Sequence, residues 1–174
     1  MGASWYELTD SSKVSSPVLL VYPKRVQFNM ELMLQLAKDP KRLRPHVKTH
    51  KMEEIIKLQM QFGIDKFKCA TLAEAKLLAD AGAPDILLAM QPVSVQLNRF
   101  LDLIRNYPSS KFSTLFDNQH SLVKFKEAAS TQNLSLDLWL DINNGMDRTG
   151  VIPGKAAEML YISAYKEPLL NTKG

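Results

Sequence analysis

Apolar positions along this chain alternate between short β-branched runs and longer stretches at helical spacing, and the alternation predicts strands and helices in turn. Val18 to Tyr22 is a strand-like run, and Gln27 to Ala37 follows with helical periodicity. Arg44 to His50 is rich in strand formers, Met52 to Phe62 returns to the helical period, and Gly63 makes a helix stop. Lys66 to Ala70 predicts a strand. Thr71-Leu-Ala-Glu74 then fits a capping box opening an Ala- and Leu-rich helix that runs to Ala81 and Gly82. Strands over Asp85–Met90, Lys111–Phe116 and Leu136–Ile142 follow, with helices over Val95–Asn106, Asn118–Ser130 and Pro153–Ala164.

Regular pairs of this kind imply parallel strands with crossover helices, either a doubly wound sheet or a barrel. No G-x-G-x-x-G turn follows any strand, which removes the main signature of a dinucleotide-binding sheet. Polar residues gather at or near the C-terminal ends of several strands: Tyr22, Lys48 and His50, Cys69 and Thr71, Gln91, Asp117, then Asn143 and Asn144. In a barrel those ends form the active-site rim. The expectation is therefore an α/β chain holding the N-terminal six β/α units of a TIM-like (β/α)8 barrel, incomplete at 174 residues. A whole barrel takes about 250 residues. Residues 1–15 are expected as a lead-in and residues 16–174 as the partial barrel.

Composition narrows the class. Hydrophobic residues make up 45% and charged residues 23%, as in a soluble globular chain. Every apolar run is far shorter than the roughly 20 residues that span a bilayer, so no membrane segment is expected. The first residues lack the basic start and apolar run of a secretory signal, and Cys69 is the single cysteine; both favour the cytoplasm. The net charge of +4 is spread thinly, and its densest patch, Lys38 to Arg44, stops without interleaved aromatics. Nucleic-acid binding is not expected.

Candidate chemistry concentrates in Arg44-Pro-His46-Val-Lys48-Thr-His50-Lys51. On a strand, His46, Lys48 and His50 share one face, while Lys51 follows the strand and points elsewhere. Inside a barrel, burial and neighbouring charge would favour the neutral Lys48 amine, the form that condenses with an aldehyde. The other possibility is a surface strand of solvated basic residues.

This run resembles the cofactor-binding strand of the D-threonine aldolase and D-serine dehydratase family, relatives of alanine racemase among the fold-type III pyridoxal-phosphate enzymes. Three further blocks agree in order: Lys68-Cys-Ala-Thr-Leu-Ala-Glu-Ala75, Asp85-Ile-Leu-Leu-Ala89 and Asp141-Ile-Asn-Asn-Gly-Met-Asp-Arg-Thr-Gly-Val151. The resemblance implies pyridoxal 5'-phosphate as cofactor, with Lys48 as the lysine that holds it covalently and His46 among the cofactor contacts. The last block is similar to a Gly-Met-x-Arg-x-Gly segment whose arginine approaches the phenolic oxygen of the cofactor; Arg148 is the match. Asn143 is expected either to hydrogen-bond near the ring or to orient Arg148. The alternative for Arg148 is a surface ion pair with Asp141 or Asp147.

Asp141 stands where alanine racemase-type strands often carry Lys, which lowers the expectation of racemisation. Cys69 is expected to be a small buried residue, and Thr71 and Glu74 helix caps. The resemblance implies a lyase acting on small β-hydroxy-D-amino acids, D-threonine aldolase-like first and D-serine dehydratase-like second, with a homodimer in the complete protein. A non-catalytic pyridoxal-phosphate-binding module is the remaining possibility. The chain reaches Gly174 close to where a seventh strand would start. The closing strands, the phosphate loops and a C-terminal β domain are expected to lie outside it. That domain would supply His and Cys to a divalent metal, zinc or manganese, so no metal ligand is assigned here and the chain alone is expected to be inactive.

Overall fold

The computed structural model describes residues 4–8 and 10–174. Residues 1–3 of the stretch read for a leader, and residue 9 of the lead-in, lie outside the described residues. The chain falls into two compact units, Met1–Leu36 and Ala37–Gly174.

In the first unit Tyr22 donates its hydroxyl to the carbonyl of Tyr6 at 2.6 Å, and Trp5 meets Tyr22 edge-on while Arg25 lies over its ring at 4.4 Å. Pro23 opens the helix α1 (Pro23–Ala37), a position that suits a residue with no N–H to leave unpaired. The strand expected over Val18–Tyr22 is not formed. Leu19 is 63% exposed and Val18 58%, and without a neighbouring ladder β propensity has nothing to act on.

The second unit is a parallel sheet with helical crossovers. Its elements are α2 (Glu53–Gln61), β1 (Lys66–Cys69), α3 (Leu72–Asp80), β2 (Asp85–Leu88), α4 (Val95–Asn106), β3 (Lys111–Phe116), α5 (Gln119–Gln132), β4 (Leu136–Leu140), α6 (Lys155–Tyr165) and β5 (Leu170–Thr172). All pairings are parallel, and the spatial order β1-β2-β3-β4-β5 repeats the chain order. A doubly wound sheet reverses direction at a switch point. This one does not, so it is a section of an α/β barrel.

Alternate strand residues make the core. Phe67, Cys69, Ile86, Leu88, Phe112, Phe116, Leu136 and Leu138 are buried, and Phe100 of α4 meets Phe112 of β3 edge-on at 6.2 Å between centroids. The intervening positions carry Lys66, Lys68, Asp85, Lys111, Asp137 and Trp139 on the opposite face. The expected cap of α3 is present with a small shift. Thr71 Oγ1 accepts from Glu74 N at 3.1 Å, and Glu74 Oε2 accepts from Ala70 N, one residue earlier than a standard box, at 2.8 Å.

Two further strand expectations need correction. Arg44–His50 is not a strand: His46 makes one parallel bridge to Lys68, and Val47–Thr49 then forms a 3-10 turn. Conversely, the seventh strand expected to lie beyond the chain is represented by β5, and hydrogen bonds from Lys173 N to Leu138 O and Leu140 N to Gly174 O continue its ladder. Among the described residues no helix is long and apolar enough to cross a membrane.

Candidate functional site

Arg44 anchors the segment that leads to Lys48. Its guanidinium forks onto Asp85 of β2 at 2.7 and 3.0 Å and donates to the carbonyl of Phe67 at 3.2 Å, reaching across β1. Pro45 O accepts from Lys68 N at 2.9 Å, so the segment joins the sheet on the side of β1 away from β2. A fork of this kind is geometrically demanding and strong. It makes up for a ladder that lasts one bridge.

Beyond that bridge the chain turns. Val47 is 1% exposed and plugs the turn, whereas Lys48 is exposed. His46 Nδ1 accepts from the Lys48 amide at 3.1 Å, and Val47 O accepts from the amides of His50 and Lys51 at 3.1 and 2.9 Å. A 3-10 turn places side chains about 120° apart. The common face expected for His46, Lys48 and His50 is therefore absent, and in this chain the Lys48 side chain is exposed. Lys51 does not point elsewhere: its Nζ folds back to the carbonyl of Lys48 at 2.7 Å.

Burial pushes both imidazoles below their ordinary range, and at His46 the positive charge of Lys48 adds to it. His50 Nδ1 accepts from Met52 N at 3.1 Å, while its buried Nε2 has no hydrogen-bond partner among the described residues. A histidine whose folded pKa is lowered binds its proton more readily in the unfolded chain, so its share of stability is present above about 6.5 and is lost as the pH falls. Protonation of His46 also removes the acceptor that caps the turn. The protection factor of the Lys48 amide is accordingly expected to fall as the pH is lowered below the ordinary histidine value of about 6.5. A pH-independent protection factor would contradict this.

At the far side of the sheet, Asp141 N donates to Phe116 O at 2.8 Å, and the chain then loops out and returns at Val151. Val151 N donates to Asp141 O and Asn143 N to Val151 O, both at 2.9 Å, closing the loop around the Ile142–Val151 bridge. Asn143 Oδ1 accepts from the amides of Gly145 and Asp147 at 3.0 and 3.2 Å, and its Nδ2 donates to Asp147 Oδ1 at 2.9 Å. Gly150 N donates to Asp117 Oδ2 at 3.1 Å, tying the loop to the end of β3. Arg148 is exposed and makes no ion pair among the described residues, so the surface pairing with Asp141 or Asp147 is not formed.

Lys48 and Arg148 both leave the sheet at the C-terminal ends of its strands, and no hydrogen bond joins them. The His46 bridge and β4 are four strand positions apart, since β1, β2 and β3 lie between. In an eight-stranded barrel, positions four apart face each other across the mouth. The donor set suits a cofactor that bears an aldehyde and a phenolate: a free primary amine on one side and a free guanidinium on the other. Burial pushes the Cys69 thiol up to about 12, with the negative charge of Glu74 adding to it, which agrees with a core residue and not a nucleophile. Sequence reasoning gave Lys51 and Glu74 no part in the Lys48 turn, and it overlooked Asp117 as an anchor of the Arg148 loop. Only Gly150, inside the quoted motif, carried a visible signal.

A consecutive parallel barrel section with a lysine-bearing turn at its rim defines the class: it has the fold of the fold-type III pyridoxal-phosphate enzymes. Residues 21–174 match the family model for the alanine racemase N-terminal domain, and the chain belongs to that family. It is 27% identical over 164 residues to a D-threonine aldolase of Arthrobacter sp., covering 94% of this chain and 43% of that protein. It is 28% identical over 139 residues to the D-threo-3-hydroxyaspartate dehydratase of Delftia sp., covering 79% of this chain and 36% of that one. The solved D-threonine aldolase of Filomicrobium marinum superposes with a TM-score of 0.83 at 27% identity, over 92% of this chain and 43% of that one. The chain thus spans less than half the length of these relatives.

Proposed function

We propose that this chain supplies the cofactor-anchoring part of a pyridoxal-phosphate-dependent lyase acting on small β-hydroxy-D-amino acids, of the D-threonine aldolase kind. The observation that carries this is the exposed Lys48 amine on a braced turn at the rim, four strand positions from the unpaired Arg148. Pyridoxal phosphate, when bound, supplies an aldehyde for an amine and an electron sink for the bond broken at Cα.

Lys48 would hold the cofactor through Nζ, and when free the same Nζ would move a proton at Cα. Arg148 places a cation beside the phenolic oxygen and holds negative charge there. His46 spends Nδ1 on the turn, which leaves Nε2 for the cofactor side. Asn143 spends its side chain on the loop, so its part is to position Arg148. Among the described residues no three His, Cys, Asp or Glu side chains converge, so these residues do not fit the divalent metal that the resemblance implies, and no step here passes through one. The same proposal makes the whole protein a homodimer in the cytoplasm.

A dehydratase is the second possibility, favoured by the 28% identity to the D-threo-3-hydroxyaspartate dehydratase, level with the 27% to the aldolase. The test offers D-threonine, D-serine and 3-hydroxy-D-aspartate to the whole protein with pyridoxal phosphate and a divalent cation. Glycine with an aldehyde marks the aldolase and a keto acid with ammonia the dehydratase; neither product, with cofactor bound, would leave a binding module. Arg148→Ala is expected to lower turnover by about 10²-fold or more, the usual loss of one charge-stabilising donor, while borohydride still fixes the cofactor to Lys48. Unchanged turnover would remove Arg148 from the site.

A further inference from the structure

We infer that Lys51 is a positioning residue, whose side chain folds back to lock the turn that carries Lys48 and so sets where the Lys48 amine stands. The inference rests on Lys48 being the cofactor lysine and gives the second lysine of the segment a mechanical part.

Two groups meet at the Lys51 ammonium. It donates to the Lys48 carbonyl at 2.7 Å, and it lies 3.8 Å from Glu74 Oε1. Glu74 is 5% exposed, and its other oxygen is bound to the amide of Ala70 at 2.8 Å, just past the end of β1. The carbonyl of the cofactor lysine is thereby tied through one cation to a buried carboxylate of α3 that is itself hydrogen-bonded just past the end of β1. Surface ion pairs are worth little because water competes for both partners. Here the carboxylate is out of water, and removing the cation leaves it buried without a counter-charge.

The backbone supplies an independent sign. Lys51 sits at φ +52°, in the left-handed region that a residue with a Cβ seldom adopts. Glycine or asparagine holds that conformation more easily. Strain retained at a residue whose side chain closes onto the preceding turn suggests that the side chain is needed there. Lys48 is then held from three directions: by buried Val47 in the core, by His46 Nδ1 on its amide and by Lys51 on its carbonyl. The rotors of its own side chain remain free, so an exposed lysine still starts from a fixed root.

The test uses the whole protein as Lys51→Asn, which tolerates the left-handed backbone and deletes the ammonium, together with Lys51→Arg and Glu74→Gln. Without cofactor, amide exchange at Lys48, His50 and Lys51 is expected to rise about tenfold in Lys51→Asn, the loss of roughly one charge-assisted hydrogen bond. Exchange in β2 and β3 should stay unchanged, and Lys51→Arg should restore protection. Titration with pyridoxal phosphate, read by the visible absorbance of bound cofactor, should show about tenfold weaker affinity, with the borohydride-fixed label still on Lys48. Unchanged exchange, a rise spread evenly over the sheet, or a local rise with unaltered affinity would each overturn the positioning role. A wild-type label away from Lys48 would instead overturn the cofactor assignment and leave Lys51 no amine to position.

Discussion

Lys48→Ala is expected to leave the whole protein with no pyridoxyl label after borohydride reduction, and with no lyase turnover. The size of the effect follows from the chemistry, because a covalent attachment needs a primary amine and alanine offers none. Other lysines are close in sequence, and geometry decides between them. Lys51 Nζ is committed to the Lys48 carbonyl at 2.7 Å and faces buried Glu74, while Lys48 has no side-chain partner among the described residues. Folding should be indifferent to the change. Lys48 is exposed, and exposed substitutions away from special contacts usually stay within about 0.5 kcal/mol. Peptide mapping of the reduced protein checks the site, and thermal unfolding checks the fold. A label that persists in Lys48→Ala, or that maps to Lys51 in the wild type, would end the assignment.

The alternation of apolar periods was enough to find β1 to β4 and α2 to α6, because each of these buries one face against a neighbour and its residues repeat accordingly. It failed where a segment lacks that neighbour. Val18–Tyr22 has strand composition and no ladder. Arg44–His50 has strand formers too, yet Pro45 brings no N–H to a ladder, and the segment is held by the side chain of Arg44 through a fork that no periodicity encodes. The same limit applies to the site. Lys48 and Arg148 stood out through residue type and quoted motif, whereas the left-handed Lys51 and the anchoring Asp117 depend on backbone conformation and on contacts 23 and 33 residues away in the chain, Lys51 with Glu74 and Asp117 with Gly150. Local sequence carries little information on either.

Gly150→Ala is expected to damage the Arg148 loop more than any exposed substitution in it. At Gly150 the backbone runs at φ +95°, and a Cβ there would stand 2.5 Å from Asn143 N, 2.6 Å from the Ile142 carbonyl carbon and 3.1 Å from Asp141 O. All three are backbone atoms of the opposite limb, so no rotamer can relieve the overlap. Either the limbs separate, breaking the Asn143–Val151 and Val151–Asp141 hydrogen bonds, or the chain leaves its left-handed conformation and Gly150 N loses Asp117. Strained backbone alone costs about 1–3 kcal/mol, and a lost hydrogen bond adds about 1 more. Gly145→Ala supplies the control: it has φ +100° but nothing within 4 Å of the added carbon, so it bears the conformational cost without the collision. Thermal unfolding should therefore place Gly150→Ala well below Gly145→Ala, by about 2–4 °C for each kcal/mol that separates them. In the whole protein Gly150→Ala should also lose turnover while borohydride still fixes the cofactor to Lys48, since no hydrogen bond or ion pair joins the Lys48 turn to the loop among the described residues. Equal losses at the two glycines would show that the close approach of the limbs does not hold the loop, and retained turnover in Gly150→Ala would show that the placement of Arg148 does not matter to the chemistry.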